Sequence, residues 1–203
     1  MTTSLFAGRM NTMKQIKNFL ALDLELNTPS QKIIEIGIAI GNPTDGILKT
    51  TNWYVDPQEP IDESITQLTG IDDALIEMEA VPYPVIAEQL TTIFESYQPF
   101  PNPVQWGGSD ADILRKEFLL QGFDLKLFGR RQIDVKTIYS FLQISRGRSI
   151  TGGLKGCMER YGMKFFGGPH RALDDARNTL EFYFKLLRRQ QNMERIFEEI
   201  RNG

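Results

Sequence analysis

The chain has 203 residues, of which 41% are hydrophobic and 24% charged, and its formal net charge is −3. This composition is typical of an ordinary soluble protein that buries a substantial core. The single cysteine, Cys157, excludes an internal disulfide framework and fits a reducing compartment. The slightly acidic balance argues against a general nucleic-acid binder, unless some of the carboxylates bind metal ions.

We expect neither a targeting segment nor a membrane-spanning segment in this sequence. Its start lacks an apolar stretch of signal-peptide length. No apolar run approaches the roughly 18–20 residues of a membrane span. We therefore expect a cytoplasmic protein with no membrane partner, and we predict a disordered extension over residues 1–14 and a single domain over residues 15–203.

Three apolar segments near the amino terminus predict strands. They read KNFLALDLEL from Lys17, QKIIEIGIAIG from Gln31 and GILKTTNWYVDP from Gly46, and turn-forming residues separate them. Because no helical segment lies between them, we expect an antiparallel meander.

The period of the apolar residues becomes helical in the middle of the chain. Helices are predicted in DESITQLTGI, with Gly70 as the stop, and in YPVIAEQLTTIFESYQ. Short strands at NPVQWGG and RRQID each precede a helix, GGLKGCMERYG predicts another helix, and a final helix runs from Ala172 to about Arg189. This order of elements predicts an α/β fold with a mixed sheet and helices on its faces.

Two carboxylates interrupt the first apolar strand. Asp23 and Glu25 are two residues apart, so their side chains project from the same face. Like charges this close are costly unless a positive group lies between them. The pair therefore marks either a solvent-exposed strand edge or a set of metal ligands.

Further acidic residues stand at the starts of two predicted helices. WGGSDADIL holds Asp110 and Asp112, which have an alternative role as helix caps or partners of the helix dipole. PHRALDDARNT holds the only histidine, His170, followed by Asp174 and Asp175. A histidine side chain accepts a proton from water at neutral pH, and carboxylates one turn away can hold the metal ion that positions this water.

The combined order D-x-E, D, H-x-x-x-x-D resembles the DEDD superfamily of 3′–5′ exonucleases, in the branch that bears a histidine (DEDDh). The segments KIIEIGIAI, LTGI and WGGSD are similar to further motifs of this superfamily, and TGGLKGCMERYGMKFFGGPHRALDDARNT resembles the Eri-type exonucleases of histone mRNA. The resemblance spans about Lys17 to Leu187. It implies a ribonuclease H-like (DnaQ-like) α/β fold, with a mixed five-stranded sheet flanked by helices, and an exonuclease domain over residues 15–203.

The resemblance also implies a role for each motif residue. It assigns four metal ligands: Asp23, Glu25, Asp110 and Asp175. These would bind two divalent cations, Mg²⁺ or Mn²⁺, because oxygen donors suit such ions whereas zinc favours cysteine and histidine. The general base would be His170.

Two of these assignments have a competitor nearby in the sequence. Asp112 competes with Asp110, because the second motif matches its usual pattern only in part. Asp174 competes with Asp175, which the family spacing favours.

The substrate implied by the resemblance is a single-stranded 3′ end. Leu26 and Leu68 are candidates for apolar contacts with the terminal bases, with core packing as the alternative. We expect release of nucleoside monophosphates, with RNA favoured over DNA. The alternatives are a catalytically silent exonuclease fold that acts as a regulatory binding module, and a two-metal endonuclease. The sequence leaves the oligomeric state open.

Overall fold

The three segments predicted as a meander form one side of a five-stranded sheet. The computed structural model of the protein describes residues 18–202. Its strands, in chain order, are β1 (Phe19–Leu26), β2 (Ile33–Asn42), β3 (Gly46–Tyr54), β4 (Val104–Gln105) and β5 (Ile133–Asp134). Their order across the sheet is β3-β2-β1-β4-β5.

The sheet is mixed, as predicted. β1 pairs with β2 and β2 with β3 in antiparallel register, which confirms the meander. β4 pairs in parallel with both β1 and β5. Because parallel strands end at the same edge of a sheet, the carboxyl end of β1 lies beside the loop that follows β4.

Seven helices of the described part of the chain flank this sheet. They are α1 (Glu63–Thr69), α2 (Asp73–Glu79), α3 (Tyr83–Tyr97), α4 (Asp110–Leu120), α5 (Val135–Ile144), α6 (Leu154–Glu159) and α7 (Ala172–Asn202). α1 ends at Gly70, as predicted, and this glycine takes the left-handed conformation with φ 76°.

Two helices differ from the prediction. α2 is not predicted, because Ile76 is its only buried residue and one apolar contact produces no helical period. α7 extends to Asn202, beyond the predicted end at Arg189. Its distal turns are exposed, and ion pairs within the helix, such as Arg195 with Glu199 at 2.8 Å, support them.

The two faces of β1 pack into different cores. Its even-numbered leucines pack with α3 and α4 in one core cluster, whereas Phe19 and Ala21 pack with α7 in the other. Because side chains alternate along a strand, Asp23 and Glu25 share the face of Phe19 and Ala21. The fold therefore directs both carboxylates toward the helix that carries Asp175.

The described residues confirm the mixed five-stranded sheet flanked by helices. Among residues 18–202, no helix is both long and apolar enough to cross a membrane. The predicted extension over residues 1–14 lies outside the described residues. The assignment of residues 15–203 to one domain stays a prediction.

Candidate active site

Three of the predicted metal ligands meet at the carboxyl end of β1. Asp23, Glu25 and Asp175 each offer a carboxylate oxygen, and these three atoms lie within 4.8 Å of one another. Packing of α7 across β1 and β2 brings the third carboxylate to the other two. Since three carboxylates this close repel one another, the arrangement fits a divalent cation bound between them.

Asp110 lies beside this trio, whereas Asp112 forms contacts elsewhere. Asp110 is the first residue of α4, and its charge contributes to the raised pKa of Asp23. The carboxylate of Asp112 forms an ion pair with Arg115 at 2.6 Å, and its side chain is 66% exposed. The N-cap position of α4 belongs to Ser109. The geometry therefore favours Asp110 over Asp112 as a ligand.

The two adjacent aspartates of α7 also have different surroundings. The backbone N–H of His170 donates to Oδ2 of Asp175 at 2.9 Å. The backbone N–H of Gly168 donates to Oδ2 of Asp174 at 3.0 Å. A Cβ on Gly167 would lie 2.0 Å from the Asp174 carboxylate, so this loop packs tightly on Asp174. Asp174 thus holds the loop, and Asp175 joins the trio.

An open cavity of about 490 Å³ lies over the trio. The loop before α7 and the first turn of α6 form part of its walls. His170 lines this cavity together with Asp23, Glu25 and Asp175. The backbone of His170 adopts the left-handed conformation, with φ 62°, which is uncommon for a residue with a side chain. The cavity therefore brings three carboxylates and one imidazole side chain together.

Burial and mutual repulsion raise the pKa values of the carboxyl groups. The pKa of Glu25 rises from 4.5 to about 8, mainly because it is buried and also because other carboxylates lie near it. Burial raises the pKa of Asp110 to about 6. Burial, followed by the neighbouring carboxylates, raises the pKa of Asp23 well above its usual range. Hard divalent cations fit this set of oxygen donors, because they supply the positive charge that the ionised carboxylates need.

The sequence prediction missed Glu35, which organises the start of α7. Glu35 lies opposite Glu25 in the β1–β2 register and is fully buried. One of its oxygens accepts hydrogen bonds from the backbone N–H of Ala172 at 3.0 Å and from Nε of Arg171 at 3.3 Å. The other accepts from Asn52 at 2.7 Å and from Nη2 of Arg171 at 3.3 Å. Glu35 therefore fixes the chain between His170 and Asp175.

A close backbone contact supports the same junction. A Cβ placed on Gly37 of β2 would lie 2.1 Å from the carbonyl carbon of Ala172. Only glycine allows α7 to begin this close to the sheet. The visible signal for Glu35 in the sequence is a lone acidic residue inside an apolar, β-branched strand.

The two predicted substrate contacts are not among the residues that line the cavity. Leu26 is partly buried against the core cluster of α3 and α4, and Leu68 on α1 is 50% exposed. Trp106 lines the cavity instead, with its ring 6.2 Å from Tyr139 and 6.0 Å from Phe182. The substrate-binding role of Leu26 and Leu68 stays a prediction.

Comparison of the sequence with known proteins identifies relatives. Residues 20–183 match the model of the exonuclease family (RNase_T). The chain is 29% identical over 182 residues to ERI1 exoribonuclease 2 of Homo sapiens, covering 78% of this chain and 26% of that protein. It is 27% identical over 182 residues to DNA polymerase III PolC-type of Caldanaerobacter subterraneus, covering 86% of this chain and 12% of that protein. The chain thus spans about a quarter or less of these relatives.

Solved structures share the fold. The nuclease domain of 3′hExo, a DEDDh family member bound to rAMP, superimposes with a TM-score of 0.73 at 18% identity, covering 86% of this chain and 94% of that one. Cell-death related nuclease 4 superimposes with a TM-score of 0.72 at 21% identity, covering 88% of this chain and 64% of that one. These likenesses confirm the predicted ribonuclease H-like exonuclease fold.

The family match, the fold and the motifs agree. The matched residues 20–183 cover most of the chain, and they include every motif residue from Asp23 to Asp175. The resemblance to Eri-type members is confirmed by the human relative. The chain belongs to the exonuclease family.

Proposed function

We propose that this protein is a metal-dependent 3′–5′ exonuclease that releases nucleoside monophosphates from single-stranded 3′ ends, with RNA favoured over DNA. The observation that carries this proposal is the trio of Asp23, Glu25 and Asp175 in one open cavity with His170. Membership of the exonuclease family gives this chemistry its context. The preference for RNA rests on relatives named exoribonuclease and on a structural neighbour with bound rAMP.

The four carboxylates are the proposed ligands of two divalent cations. Asp23, Glu25 and Asp175 form the tight part of the ligand set, and Asp110 completes it from the start of α4. Mg²⁺ or Mn²⁺ fits these oxygen donors. When bound, two such ions make an attacking water more acidic and stabilise the departing 3′ oxygen.

His170 is the proposed general base. Its side chain is exposed at the cavity wall, where it can take the proton of the attacking water and release it to solvent. The hydrogen bond from its backbone N–H to Asp175 couples the position of the base to the position of a ligand. The buried Glu35 holds the following residues, Arg171 and Ala172, against β2.

The cavity itself suits a nucleotide at the end of a strand. It opens directly above the carboxylates, so a terminal phosphodiester has access to them. Trp106 and Phe165 line it, and such surfaces contact bases or sugars with little regard to sequence. An exonuclease that degrades varied 3′ ends requires this tolerance.

The alternative of a catalytically silent binding module is less well supported. A module without catalysis has no need to keep three carboxylates and a histidine in one cavity, with a fourth carboxylate, Asp110, close enough to raise the pKa of Asp23. The alternative of an endonuclease is tested by a circular single-stranded substrate, which an exonuclease leaves intact.

The test is degradation of a 5′-labelled single-stranded RNA and a DNA of the same sequence, in Mg²⁺, Mn²⁺ or EDTA. We expect a ladder that shortens from the 3′ end with either metal, no shortening in EDTA, and faster degradation of the RNA. The His170→Ala variant runs alongside and should lose the ladder. Absence of cleavage of both substrates by the wild type would favour the binding module, and faster degradation of DNA would reverse the assigned preference.

A further inference from the structure

A second cavity, of about 440 Å³, opens beside the candidate active site. Three arginines line it, Arg148, Arg160 and Arg189, together with Tyr161 and the hydroxyl residues Ser149 and Thr151. No aspartate or glutamate is among the described residues that line it. We refer to this feature as the arginine cavity.

Tyrosines hold two of the surrounding arginines in place. Nη1 of Arg146 donates to the hydroxyl of Tyr161 at 3.1 Å. Nη1 of Arg160 donates to the hydroxyl of Tyr139 at 2.8 Å. These contacts fix positive charge at the cavity without neutralising it.

The other two arginines have guanidinium groups available for a ligand. Arg148 and Arg189 are exposed, and the guanidinium of Arg189 lies 5.5 Å from the ring centre of Tyr161. Within residues 18–202, neither side chain forms a hydrogen bond to the protein, and none of the four arginines forms an ion pair with a carboxylate. The three arginines that line the cavity, with Arg146 behind Tyr161, thus carry positive charge without carboxylate partners and form a site for an anion with several oxygens.

The position of the arginine cavity indicates which anion it takes. Thr151 lines the arginine cavity and Gly153 lines the candidate active site. Two residues of extended chain span at most about 7 Å, so the two cavities adjoin. Arg189 lies 14 residues beyond Asp175 on α7, which is about 21 Å along the helix. A strand whose 3′ end occupies the candidate active site therefore reaches the arginines with phosphates a few nucleotides upstream of that end.

We propose that the arginine cavity binds backbone phosphates of the single-stranded substrate upstream of its 3′ end. This inference rests on the proposed exonuclease function for the identity of the strand. Guanidinium groups bind phosphate oxygens in a forked geometry that ignores base sequence. The hydroxyls of Ser149 and Thr151 are hydrogen-bonded to each other at 2.9 Å, which leaves one O–H of the pair as a further donor for the same oxygens.

The test is strand binding by the double variant Arg148→Gln, Arg189→Gln. Both side chains are exposed, so the fold should persist, and an unchanged Tm verifies this. Binding of a fluorescent single-stranded RNA that spans both cavities is measured in the His170→Ala background, so that the RNA stays intact. We expect Kd to rise about tenfold and the slope of log Kd against log salt concentration to fall by about 1.4, since each lost phosphate contact on a single strand contributes about 0.7.

The matched control is Arg195→Gln, Arg201→Gln. It removes an equal number of positive charges, two, from the distal, exposed part of α7. It should leave Kd and the salt slope as in the parent. If the Arg148, Arg189 variant binds as tightly as the parent, or if both double variants weaken binding equally, the arginine cavity is not a phosphate site.

Kinetics separate this inference from the proposed function. The ratio of kcat/KM for the long RNA over kcat/KM for a dinucleotide should fall about tenfold in the Arg148, Arg189 variant and stay constant in the control. A wild type that cleaves neither substrate with Mg²⁺ or Mn²⁺ refutes the exonuclease function, whereas the binding result stands by itself. A wild type that cleaves both, with an unchanged ratio and Kd in the variant, refutes the arginine cavity alone.

Discussion

Glu35 connects the sheet to the start of α7. Its replacement by glutamine tests how much this connection contributes to the free energy of unfolding. The substitution keeps the shape of the side chain but turns one acceptor oxygen into an NH2 donor. Each oxygen of Glu35 accepts from a nitrogen of Arg171, at 3.3 Å in both cases. Either orientation of the new amide therefore sets a donor against a donor, and the guanidinium loses its counter-charge.

The expected loss in free energy of unfolding is about 3 kcal/mol. Removing one partner of a buried ion pair costs about 3–5 kcal/mol. The side chain of Glu35 is fully buried, but that of Arg171 is 35% exposed, so water solvates the remaining charge and the lower end of the range applies. Since about 1 kcal/mol shifts the Tm of a domain of this size by about 2–4 °C, the Tm should fall by about 6–12 °C.

The assay is thermal unfolding of wild type, Glu35→Gln and a matched control, Glu199→Gln. Glu199 also pairs with an arginine, at 2.8 Å, but its side chain is 61% exposed, so its loss should cost at most about 0.5 kcal/mol. Adding Arg171→Gln to Glu35→Gln should cost less than the sum of the two single changes, because no unpaired charge remains. A Glu35→Gln protein with the Tm of the control would refute the anchoring role.

Three further changes test the site. His170→Ala should lower kcat by about 10²–10⁴-fold without lowering the Tm, because the side chain is exposed; wild-type initial rates would contradict its role as the base. Gly37→Ala should lower both stability, by about 1–3 kcal/mol, and activity, because its Cβ would overlap backbone atoms of Ala172; a stable and fully active variant would disprove this contact. In EDTA, the unfolding free energy should fall as the pH rises from 4.5 toward 8, because the fold raises the pKa of Glu25 to about 8 and so favours its protonated form. At pH 8, Mg²⁺ or Mn²⁺ at about 100 times its Kd should raise the free energy of unfolding by about 2.7 kcal/mol. If these ions leave the Tm unchanged, the carboxylates bind neither of them.

Much of the fold follows from local patterns. The three amino-terminal strands are predicted because their apolar runs are long and turn residues separate them. The end of α7 is not predicted, because residues 190–202 are exposed, so no buried apolar stripe marks where the helix stops. α2 is missed because a helix with one buried residue, Ile76, leaves no periodic signal.

Some residues of the candidate site can likewise be predicted from local sequence patterns, and others cannot. Asp23 and Glu25 stand out because charged residues inside an apolar strand need an explanation. The choice between Asp110 and Asp112 depends on which side of α4 faces β1, and the sequence of the first turn contains no such information. Glu35 is visible as an acidic residue inside an apolar strand, but its role is not predictable, since its partner Arg171 lies 136 residues away.

The most direct test of the central claim compares Asp23→Asn with Asp112→Asn on a 5′-labelled single-stranded RNA in Mg²⁺. Both changes remove one carboxylate charge close to the same edge of the sheet, but only Asp23 belongs to the trio, whereas Asp112 pairs with Arg115 on the surface. We predict that Asp112→Asn shortens the RNA from its 3′ end at the wild-type rate and that Asp23→Asn does not shorten it. Equal shortening by the two variants would show that the trio is not the catalytic centre.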